Sequence, residues 1–85
     1  MAAGVQVKFG KRVRQLRLDA GMTQEDLAHK CGLFRTYMSR IETGRANPTL
    51  TMIDALAGSL RVPTAQLFEP ATPSRSRAKP GAPSA

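Results

Sequence analysis

Apolar side chains recur along residues 8–69 at steps of three and four, the spacing of amphipathic helices, and no stretch has the alternating β-branched and aromatic residues of a strand. Phe9, Val13, Leu16 and Ala20 fall at i, i+4, i+7 and i+11. They predict a first helix from about Lys8 to Ala20, with Lys8, Lys11, Arg12 and Arg14 on its opposite, basic face, ended by Gly21. Thr23 offers an N-cap with Asp26 three residues on, so a second short helix runs to Lys30 or Cys31, burying Leu27 and Ala28, until Gly32 stops it. A third spans roughly Arg35 to Thr43, stopped by Gly44. Asn47-Pro48-Thr49 makes a turn and cap ahead of a fourth helix with the apolar stripe Leu50, Ile53, Leu56, Ala57 and Leu60. Pro63-Thr64 opens a last short helix through Leu67-Phe68, which Pro70 closes. The expected fold class is all-α: a compact five-helix bundle with short connections.

Composition divides the chain. Residues 1–69 carry the helical pattern, whereas Pro70 to Ala85 hold four of the six prolines and almost no large apolar side chain. Such a segment cannot bury enough surface to offset its ordering entropy, so residues 70–85 read as a disordered tail, basic through Arg75, Arg77 and Lys79. The 85 residues carry 13 Lys+Arg against 6 Asp+Glu, a formal charge of +7. An excess of this sign favours an anionic partner, with nucleic acid foremost. The single cysteine, Cys31, excludes an internal disulfide and points to a reducing compartment. No apolar run approaches the length of a membrane span, and Met1 to Val7 lacks the pattern of a secretory leader. A cytoplasmic protein without membrane contact is expected. His29 and Cys31 are too few donors for a metal site, and no nucleophile has a base and orienting acid to serve it. Neither enzyme activity, nor a cofactor, nor a small-molecule ligand is expected.

The second and third helices are separated by only three or four residues around Gly32, which forces a steep crossing and matches a helix-turn-helix. The run LRLDAGMTQEDLAHKCGLFRTYMSRIETGRANPTL, Leu16 to Leu50, resembles the DNA-binding domain of the Cro/repressor (Xre-type) family of bacterial and phage regulators, a lambda-repressor-like fold. Counting from Gln24, that pattern asks for a small residue fifth, glycine ninth, and apolar residues fifteenth and eighteenth, and Ala28, Gly32, Met38 and Ile41 comply. Ala28 permits close helix approach, Gly32 allows positive φ, and Met38 with Ile41 pins the third helix to the core.

At about 100° per residue, the side of the third helix opposite Phe34, Met38 and Ile41 displays Thr36, Ser39, Arg40 and Thr43, with Arg35 near its edge. Arginine can donate two bonds to guanine and hydroxyls can meet several base edges, so Arg35, Thr36, Ser39 and Arg40 form the expected reading set. The resemblance implies phosphate contacts from Gln24 and Arg45, with Thr43 on the same side. Tyr37 lies between the sectors, equally suited to a phosphate contact and to packing. Where the family usually caps the reading helix with Asp, Ser or Thr, this chain has Phe34. Phe34 either packs inward as a staple, the favoured reading, or reaches a thymine methyl. The resemblance further implies a partly buried ion pair between Arg17 and Glu42.

Leu50, Leu60, Val62, Leu67 and Phe68 exceed what the last two helices of a small monomer need to bury, and a two-fold dimer through this end would cover them. Two reading helices would then stand about 34 Å apart and meet half-sites 10 to 10.5 base pairs apart, or a multiple. The expected function is a homodimeric, sequence-specific regulator of transcription on a pseudo-palindromic operator in double-stranded DNA. Its size and the RTYMSRIETG run are particularly similar to controller proteins of restriction–modification systems, with small phage repressors close behind. The rival expectation is an antitoxin-like or adaptor protein that grips a partner through its tail.

Overall fold

The structure, a computed structural model, describes residues 4–71. All but Pro70 and Ala71 of the expected tail therefore lies outside the described residues. Among them there is no strand, and the order is α1 (Gly4–Asp19), α2 (Gln24–Cys31), α3 (Arg35–Glu42), α4 (Leu50–Leu60) and a terminal 3₁₀ helix (Thr64–Phe68). The fold is all-helical. The described residues form four α-helices rather than the five expected, because the last element winds as a 3₁₀ helix of one and a half turns.

α2 begins and ends for a chemical reason. Thr23 and Asp26 form a full capping box: Thr23 Oγ1 accepts from the Asp26 N–H at 3.0 Å, and the Thr23 N–H donates to Asp26 Oδ2 at 2.9 Å. Gly32 stops α2 in the left-handed region at φ 73°, where a side chain would be strained. The Thr23 backbone bond, and after it the Thr23 hydroxyl, holds the Asp26 carboxyl below the usual carboxylate range. Because the folded value is depressed, this support is complete above the ordinary value near about 3.9 and is lost as pH falls through the folded value. Asp26→Asn is therefore expected to flatten the acid limb of a plot of melting temperature against pH below about pH 4.

The core gathers one face of every element: Phe9 and Val13 from α1, Leu27 and Ala28 from α2, Met38 and Ile41 from α3, Ile53, Leu56, Ala57 and Leu60 from α4, and Leu67 from the 3₁₀ helix. Leu60 and Leu67 thus belong to the interior of a single protomer, and this corrects the expectation that they form part of a dimer surface. Of that set Leu50 and Phe68 are exposed and Val62 is half-buried.

α1 starts four residues before the expected Lys8 because its first turn docks on the loop after α3. Gln6 Nε2 donates to the Ala46 carbonyl at 3.0 Å, and Val7 lies against Gly44. α3 ends at Glu42, with Thr43 as its C-cap. Arg12 departs furthest from expectation: it is buried rather than part of the exposed basic face. Its Nε donates to the Gln66 carbonyl at 2.8 Å and its Nη2 to Gln66 Oε1 at 3.0 Å, while Nη2 stands 3.5 Å from Glu69 Oε1. The guanidinium clamps the 3₁₀ helix onto α1, where the Phe9 and Phe68 rings also meet at 5.3 Å.

Candidate nucleic-acid interface

α3 divides sharply. Met38, Ile41 and Glu42 are buried, whereas Arg35, Thr36 and Arg40 are exposed and Ser39 is half-buried. The helix is held from beneath by α1, which crosses it at Gly10, and by α2 through the turn at Gly32. A rigidly seated helix with its polar side outward is the geometry needed to enter a groove without reorganising.

The acid of α3 is removed from this surface. Glu42 turns inward, where Oε2 accepts from Arg17 Nε at 2.6 Å and Oε1 from Arg17 Nη2 at 3.1 Å. Arg17 Nη1 also donates to the Met22 carbonyl at 2.7 Å, and Gln24 Nε2 to Glu42 Oε1 at 3.1 Å. Neutralised in the interior, the carboxylate leaves Arg35, Arg40 and the following Arg45 as the formal charges of α3 and its C-terminal turn that face solvent. That side is suited to a polyanion.

The remaining candidates are placed as follows. Arg40 Nη2 makes one long bond of 3.3 Å to the Arg45 carbonyl, so the guanidinium can swing out at small cost. Thr43 is exposed, but its hydroxyl donates back to the Ser39 carbonyl at 2.9 Å. Gln24 is half-buried with its amide tied to Glu42, so the second amide N–H is what remains for a phosphate. The exposed Glu25 and Asp26 share that first turn of α2. Tyr37 is half-buried and packs against the core. His29 is exposed, and Cys31 Sγ lies 3.4 Å from Ser59 Oγ, its thiol pushed up by burial.

Phe34 overturns the favoured inward reading. It occupies the N-cap of α3 in extended backbone, φ −78° and ψ 148°, and is 84% exposed. A helical wheel assigns it to the buried side only if it is helical, and the cap residue is not.

This geometry recurs in known proteins. A family model described as "Helix-turn-helix domain" matches residues 8–69. The control protein C.BamHI of Bacillus amyloliquefaciens is 40% identical over 70 residues, covering 81% of this chain and 86% of that protein. The crystal structure of the restriction–modification controller protein C.AhdI from Aeromonas hydrophila superposes with a TM-score of 0.73 at 43% identity, covering 74% of this chain and 96% of that one. The controller C.Esp1396I, as a tetramer in complex with its natural 35 base-pair operator, gives a TM-score of 0.70 at 37% identity over 76% of this chain and 86% of that one. With its α2–α3 turn, its outward polar α3 and these relatives, the chain belongs to the Xre-type helix-turn-helix family of transcriptional regulators.

Proposed function

We propose that the chain is a DNA-binding regulator of transcription of the controller type, which works as a homodimer on a two-fold symmetric operator. One observation carries the reading: α3 buries its acid and its apolar side while Arg35, Thr36 and Arg40 face solvent with Ser39 at their edge. These four side chains read base edges. Arg45, Tyr37, Thr43 and Gln24 hold phosphates, which fixes register without specifying sequence. The operator complex of C.Esp1396I supports the mode of binding.

The dimer is built through the apolar side chains left outside the core, with Leu50 and Phe68 exposed and Val62, past the end of α4, half-buried. A cleft between Val5, Phe9, Ile53 and Phe68 lies on the same side as Phe68 and extends the apolar surface. Two copies joined there recognise paired half-sites, and promoter occupancy then follows the concentration of the protein itself.

Selecting bound sequences from a random DNA pool tests the proposal. Enrichment of a symmetric site with half-sites 10 to 10.5 base pairs apart, or a multiple, is the expected result. Arg40→Ala is expected to weaken binding to that site about 10- to 100-fold while leaving binding to unrelated DNA nearly unchanged. A pool without enrichment, or an equal loss on all sequences, would mean charge-driven packaging instead.

A further inference from the structure

Large apolar side chains that stand exposed among the described residues are Val5, Leu18, Phe34, Leu50 and Phe68, and of these Phe34 alone belongs to the α2–α3 unit. Its position is costly in two ways. A phenyl ring is left in water, and the α3 N-terminus goes without a side-chain cap. The chain caps other helices conventionally: Thr23 accepts from the Asp26 N–H and Thr49 from the Met52 N–H. A threonine at position 34 would have served the fold better, so the ring finds its use outside the protomer.

The place of Phe34 says what that use is. It immediately precedes Arg35 and Thr36 at the leading end of α3, and the first residues of a recognition helix are those that reach base edges in the major groove. A phenyl ring offers a base no donor and no lone pair. Of the groups that the four bases present in that groove, the thymine C5-methyl is the apolar one. Resting on the reading of α3 as the DNA-contacting helix, we propose that Phe34 is a specificity-determining residue that packs against a thymine methyl beside the base met by Arg35. In each half-site it distinguishes thymine from cytosine at a position that the polar readers do not cover.

Replacing each thymine of the selected operator in turn by deoxyuridine removes the methyl and leaves base pairing intact. The parent protein is expected to lose about four-fold in affinity at one thymine per half-site, the factor that burying a single methyl contributes. Phe34→Ser supplies a cap in place of the ring. It is expected to bind the thymine and uracil forms equally and to melt no lower than the parent, which separates readout from a structural role. The inference is overturned if no thymine responds in the parent, or if Phe34→Ser shows the same penalty. An enriched operator without a uracil effect removes this inference alone, whereas a pool that enriches nothing removes the DNA-reading function with it.

Discussion

Glu42→Ala is expected to cost about 3 to 5 kcal/mol of folding stability, the penalty for leaving one member of a buried ion pair unmatched. Arg17 and Glu42 are 6% and 5% exposed, so both charges are largely shielded from water. Without the carboxylate, the Arg17 guanidinium keeps the Met22 carbonyl and loses two short charge-assisted bonds, while the Gln24 amide loses its acceptor. A core of this size supplies only about 3 to 5 kcal/mol, so the loss is comparable with the whole stability. In thermal melting followed by circular dichroism, the midpoint should fall by roughly 15 °C or more, or the cooperative transition should vanish. The double variant Arg17→Met with Glu42→Leu is expected to regain much of the loss, because an apolar pair incurs no desolvation cost. A single variant that melts within a few degrees of the parent would show that the pair does not hold the domain together.

Gly10→Ala carries the second large effect. A Cβ at this position would lie 2.4 Å from the Ile41 carbonyl oxygen and 2.7 Å from that of Glu42. Both contacts are backbone at the end of α3, so no side chain can turn aside to relieve them. Overpacking against fixed atoms costs about 3 kcal/mol or more, against roughly 1 kcal/mol returned by the better helix propensity of alanine. A net loss of about 2 kcal/mol follows, together with displacement of α3 from α1. Gly58→Ala is the control: it sits in α4, where a Cβ would meet nothing within 4 Å, and is expected to stabilise by about 0.5 to 1 kcal/mol. Urea titration of the two variants should therefore give shifts of opposite sign. A neutral Gly10→Ala would mean that the α1–α3 crossing is wider than the structure has it.

The α2–α3 unit was legible because its determinants are local. The Thr23–Asp26 box, the left-handed Gly32 and the inward pair Met38 and Ile41 each follow from residue chemistry within one or two turns. Elsewhere a distant partner or a helix end is in control. Arg12 falls on the polar side of α1 by periodicity, yet it is buried by a 3₁₀ helix whose Gln66 lies 54 positions away. A helical wheel turns Phe34 inward, but its backbone is extended, so the wheel does not apply to it. By periodicity Leu60 and Leu67 are surplus apolar surface, but both are buried within the protomer. Nothing marked Gly10 in the sequence, since a glycine inside a helix shows its purpose only when another backbone arrives above it.

Periodicity, caps and left-handed glycines act over a few residues, so the succession of helices, the limits of α2 and the polar side of α3 follow from residue order alone. The tertiary structure decided which basic residues are free to meet an anion and which are spent inside: Arg35, Arg40 and Arg45 stand outside, whereas Arg12 and Arg17 are internal clamps. It also decided that α3 presents no acid, since Glu42 reaches a partner 25 positions back in the chain. The physical reason is common to both: a charged side chain is buried only where a specific partner compensates its desolvation, and that partner is chosen by how the helices cross.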